Sequence, residues 1–77
     1  MRKEDLFRLI DATSDEDDAG FQMIIRILLD EGFVSERELA RMVDVSIPTV
    51  SRWRDGITRP HPLMRKHLWK CIKEHLR

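Results

Sequence analysis

The chain is poor in cysteine, proline and glycine: it has one, three and three of them in 77 residues, and no tyrosine. The lone Cys71 excludes an internal disulfide and suits a reducing cytosol. With so few glycines and prolines there is no linker, no internal repeat and no low-complexity tract. Long apolar runs are missing as well. The richest stretch, MIIRILL, is broken by Arg26 and falls far short of the ~20 residues that a membrane span needs. The opening MRKEDLFRLID is charged throughout, so no secretory signal is expected. Net charge is also absent, because 14 Lys and Arg balance 14 Asp and Glu. These absences lead us to expect a small cytoplasmic protein, one domain over residues 1–77, marginally stable and without room for a separate effector domain. Neither an enzyme nor a membrane protein is expected.

The charge that is absent in total is present in halves. Residues 1–34 carry four basic and nine acidic side chains, a balance of −5. Residues 35–77 carry ten basic and five acidic, a balance of +5. A duplex feels the surface that faces it and not the sum, so this asymmetry points to nucleic-acid binding by the second half.

Apolar spacing predicts an all-α chain of five helices and no strand. Residues 3–12 place Leu6, Phe7, Leu9 and Ile10 on one broad face. A polar break from Thr13 to Asp18 follows. Ser14 is the expected cap of the next helix, with Asp15, Glu16, Asp17 and Asp18 where the helix dipole favours negative charge. That helix carries Phe21, Ile24, Ile25, Leu28 and Leu29 and is expected to end near Gly32. After Pro60-His61-Pro62 a last helix runs over 62–77, with Leu63, His67, Leu68, Cys71, Ile72 and Leu76 on one side. Trp69 falls off that stripe beside Arg65, Lys66 and Lys73, and reads either as a cap on the core or as the anchor of a dimer contact.

Residues 35–56 say most about function. Ser35 with Glu38 three residues later is a capping box, so a helix should start at Glu36. It buries Leu39, Ala40 and Val43. Asp44 stands where the chain must reverse, and Asp tolerates the left-handed conformation better than most residues. Ser46 is a second N-cap, Pro48 falls in the first turn, and Gly56 is a C-terminal glycine. Two short capped helices joined by a tight turn make a helix-turn-helix.

The run ELARMVDVSIPTVSRWRDGITRP resembles the lambda-repressor-like (XRE, Cro-type) family of DNA-binding domains. The resemblance rests on Leu39, Ala40, Val45, Ser46, Thr49, Val50, Ser51, Arg52, Trp53, Gly56 and Pro60, over about a third of the chain. Two positions depart from the family: Asp44 replaces the turn glycine, and Glu36 stands where Gln often meets a phosphate. The resemblance implies a five-helix lambda-repressor-like domain in which 1–13 is an added N-terminal helix. It also implies that the second helix of the motif enters the major groove of double-stranded DNA. Base readers would then be Ile47, Pro48, Thr49 and Arg52. Ile47 and Pro48 offer only apolar contact, to thymine methyl groups, whereas Arg52 suits a bidentate contact to guanine. Phosphate contacts would come from Arg37, Ser46, Ser51, Arg54, Thr58 and Arg59, with Arg41 facing outward nearby. The implied function is that of a Cro-like repressor, a homodimer on an inverted repeat, associated with a prokaryotic or phage nucleoid. Alternatives are an antitoxin or restriction-controller regulator, or a protein-interaction module that uses the motif as scaffold.

No cofactor, metal or small-molecule substrate is expected. His67, Cys71 and His75 share a helix face, but span roughly 12 Å along the axis, too far for one ion. Asp15, Asp17 and Gly20 match positions one, three and six of a calcium loop, yet Arg26 stands where the coordinating Glu belongs. Nothing sets a nucleophile beside a base.

Overall fold

The computed structural model describes residues 1–77 as five helices with no strand. Helix α1, Lys3–Ala12, buries Leu6 and Ile10 and leaves Phe7 and Leu9 at the margin of the core. It stops at Thr13, whose hydroxyl donates back to the Leu9 carbonyl at 2.7 Å. Helix α2, Asp18–Asp30, begins one turn later than Ser14 would have set it. Its cap is Asp17, which accepts from Gly20 N at 2.9 Å. Ser14 instead closes the preceding turn by accepting from Glu16 N at 3.2 Å. Gly20 permits this crowding. A Cβ there would lie 2.6 Å from both Asp17 Oδ2 and Thr13 Cγ2.

Helix α3, Glu36–Met42, and helix α4, Ile47–Asp55, are the two members of the motif, and α5, Pro62–Leu76, follows. The α5 cap is His61, whose Nδ1 accepts from Leu63 N at 3.1 Å. Packing runs mainly between α3 and α4 and between α2 and α4, with α1 laid against α2 and α5. Phe21, Ile24, Ile25 and Leu28 of α2 are fully buried, so α2 is the central helix around which the others close.

Phe21 is the hinge of that core. Its ring meets Trp53 of α4 edge-on at 6.0 Å and Trp69 of α5 at 5.4 Å. Such pairs contribute about 0.5–1.5 kcal/mol each beyond the area they bury. Trp69 is only 6% exposed, so it is a core residue and not the anchor of an exposed contact. Leu63, expected on the buried stripe, is 70% exposed. The buried side of α5 is Arg65, Leu68, Trp69 and Ile72. It is rotated from the expected stripe because Trp69 fills the space beside Phe21, and this leaves Leu63 and His67 toward solvent.

Arg65 is the one buried charge. Its Nε donates to the Pro60 carbonyl at 3.0 Å, one Nη to the Asp15 carbonyl at 2.7 Å, and the other to Asp18 Oδ1 at 2.7 Å. The guanidinium also lies 5.1 Å from the centre of the Phe21 ring. One side chain thus ties α5 to the segments that precede α2 and α5 and to the first residue of α2, with each guanidinium nitrogen bonded.

Candidate nucleic-acid interface

The motif is held in shape by local bonds. Ser35 Oγ accepts from Glu38 N, and Glu38 Oε1 accepts from Ser35 N, both at 3.0 Å. The Ser35 backbone N–H that donates to it, and then the Ser35 side chain, hold the Glu38 carboxyl below the usual range, and His75 adds to the effect. The reversal is made at Asp44, a non-glycine residue with φ of +56°. Val45 N closes the turn onto the Ala40 carbonyl at 3.0 Å. Ser46 Oγ then accepts from Thr49 N at 3.2 Å and shares a 2.7 Å hydrogen bond with the Thr49 hydroxyl. Gly56 ends α4 with φ of +74°.

Helical periodicity decides what α4 shows to solvent. Val50 and Trp53 are buried, so the opposite side presents Ile47, Pro48 and Arg52, with Thr49 and Ser51 half-buried between. Arg52 makes no ion pair, with Asp55 or with any other carboxylate. Arg37 and Arg41 are exposed on α3, and Thr58 and Arg59 are exposed after α4.

Several of the residues expected at phosphates have partners inside the protein. Ser51 Oγ donates to Glu36 Oε2 at 2.7 Å. Arg54 donates to Asp30 and lies 3.5 Å from Glu36 Oε1. Arg59 lies 3.5 Å from Asp18 Oδ2. Gln22 Nε2 donates to the Arg54 carbonyl at 3.1 Å and so pins the last turn of α4 to α2. Asp30 and Gln22 had no signal in the sequence, since each belongs to a different helix from the residue it holds. Cys71 Sγ sits 3.6 Å from His67 Nε2, while His75 turns to Glu38 at 3.3 Å. No three ligating side chains gather as a metal site would need.

Residues 22–52 match the family model described as winged helix-turn-helix DNA-binding. The match begins inside α2, takes in α3 and the turn, and ends at Arg52 within α4. Helix α3, the turn and helix α4 form a helix-turn-helix, as in the family which that model describes. No strand that would build a wing is present. No curated protein and no solved structure matches the chain. No helix is long and apolar enough to cross a membrane.

Proposed function

We propose that this protein is a sequence-specific regulator of transcription that binds double-stranded DNA with α4 in the major groove. One observation carries the reading: Arg52 is exposed and unpaired one turn beyond the exposed Ile47-Pro48 tip, on the side of α4 opposite Val50 and Trp53. In this reading Arg52 reads guanine, Ile47 and Pro48 read thymine methyl groups and shape, and Thr49 completes the reading surface. Arg37, Ser46 and Thr58 contact phosphates, and Arg59 does so by leaving Asp18. Ser51 and Arg54 join them only by exchanging Glu36 and Asp30 for the backbone. The resemblance of residues 38–60 to the lambda-repressor-like family supports the finer proposal of a Cro-like repressor that acts by occupancy. Residues 1–77 would form a single domain, and one copy reads few base pairs. We therefore propose a homodimer, in the nucleoid, on an inverted repeat with half-sites about 34 Å apart.

Selection of bound sequences from a random duplex pool at about 150 mM salt tests this. An enriched inverted repeat is the expected result. Arg52→Ala should then lose about 1–3 kcal/mol of discrimination at one base pair and keep its fold. A specific observation favours a second reading, as a protein-interaction module: Ser51, Arg54 and Arg59 are occupied by carboxylates, and Ile57 and Leu63 are each 70% exposed. Recovery of no sequence, with Arg52→Ala leaving partner capture intact, would select that module over the regulator.

A further inference from the structure

Three helices send side chains to one spot beside α4. Asp30 closes α2, Glu36 opens α3, and Ser51 and Arg54 project from α4. Glu36 is the common partner, at 2.7 Å from Ser51 Oγ and 3.5 Å from an Arg54 Nη. The other Nη of Arg54 is bound to Asp30. Both forks of the guanidinium therefore face carboxylates, and the spot carries two negative charges against one positive. The Arg54 side chain is held by these two carboxylates, and its carbonyl, held by Gln22, fixes the last turn of α4 from which it projects.

We propose that Glu36 sets the sequence-independent part of this protein's affinity for DNA, by withholding Ser51 and Arg54 from the phosphate backbone. The inference rests on the DNA-binding reading above. A phosphate approaching α4 at this point meets an unbalanced carboxylate instead of a free guanidinium. To engage Arg54, the phosphate must displace Glu36 and Asp30 and then lie beside their charges. Each arginine that does neutralise a phosphate steepens the fall of affinity with salt by about 0.9 in the logarithmic slope. Arg54 is therefore nearly silent in that slope while Glu36 and Asp30 hold it. Arg52 and its base contacts keep their full share of the binding free energy.

The test is titration of the full chain with a random-sequence duplex over a range of salt concentrations. Glu36→Gln keeps an acceptor for Ser51 and removes the charge. It should tighten binding about fivefold, the effect of one charge about 4 Å from a phosphate in water. It should also steepen the salt slope by up to about 0.9. Asp30→Asn, which leaves α3 and Ser51 untouched, should move both quantities in the same direction. Arg54→Ala alone should leave the slope as it is, and in the Glu36→Gln background it should return the steepened slope to the wild-type value. The inference is overturned if Glu36→Gln and Asp30→Asn bind with the wild-type slope, or if Arg54→Ala alone flattens it. In either case the DNA-binding reading survives. Failure of every variant, and of the wild type, to bind duplex removes that reading and this inference together.

Discussion

Arg65→Ala should be among the most damaging single substitutions in this chain. The side chain is 4% exposed and answers three acceptors: the Pro60 and Asp15 carbonyls and the Asp18 carboxylate. Hydrogen bonds to a charged group contribute roughly 1.5–3 kcal/mol each where both partners are buried. Here the acceptors are only partly buried, and Asp18 is 52% exposed, so water recovers much of each bond once the guanidinium is gone. A net of about 1 kcal/mol per bond is the appropriate figure. Loss of the aliphatic stem and of the contact with the Phe21 face adds somewhat less. The expected total is about 3–4 kcal/mol, a fall in Tm of roughly 12–32 °C for a domain of this size. Urea unfolding followed by tryptophan emission measures it directly, since Trp53 and Trp69 are both buried. Arg65→Lys should recover less than half of the loss, because one ammonium cannot span the three acceptor directions. If Arg65→Ala loses less than about 1 kcal/mol, the guanidinium is not what joins α5 to the segment before α2.

Two further outcomes follow from the helix ends. Gly56→Ala places a Cβ at φ of +74° and 2.8 Å from the Gln22 carboxamide, so it should lose about 2 kcal/mol in the same urea assay. Gly56→Asn tolerates the backbone angle, and the Gln22 carboxamide can move aside by giving up its bond to the Arg54 carbonyl, so it should lose only about 1 kcal/mol. Glu38 has its pKa depressed in the folded state by the Ser35 bonds, so the folded chain binds fewer protons than the unfolded one across the acid range. That stability is fully present above the ordinary Glu pKa of about 4.3 and is lost as pH falls through the folded value. The acid-side slope of Tm against pH should therefore be shallower in Glu38→Gln than in wild type, and equal slopes would refute the assignment.

The motif was legible in the sequence because its signals are local. Ser35 with Glu38, Asp44 at the reversal, Ser46 as a cap and Gly56 as a stop each act within a few residues, and the structure shows each of them in that role. Where several local solutions compete, distant contacts decide. Ser14, Asp15 and Asp17 are all competent caps for α2. The choice falls on Asp17 because Thr13 bonds back onto α1 and the Asp15 carbonyl is drawn to Arg65. On α5 the buried side could be the expected one, through Leu63, His67, Leu68, Cys71, Ile72 and Leu76, or one turned to take in Trp69 while keeping Leu68 and Ile72. The second wins because Trp69 packs on Phe21, a residue of another helix. The proposed reading residues were open to inspection for a simpler reason, since exposure on α4 follows from the burial of Val50 and Trp53. Their neighbours were not. That Ser51 and Arg54 are bound to Glu36 and Asp30 depends on how α2, α3 and α4 cross, and no spacing along the chain encodes it.

Phe21 stands between Trp53 and Trp69, and this has a consequence for engineering. Trp53 belongs to the motif and Trp69 lies beyond it, so the motif shares its interior with α5. A fragment cut to residues 22–52 would lose Phe21, Trp53 and Trp69 at once, and with them the support beneath α4. The proposed reading surface is therefore not a cassette to be transplanted. If α4 reads DNA as proposed, retargeting would keep the whole scaffold and exchange the exposed side chains at positions 47, 48 and 52 with the half-buried one at 49.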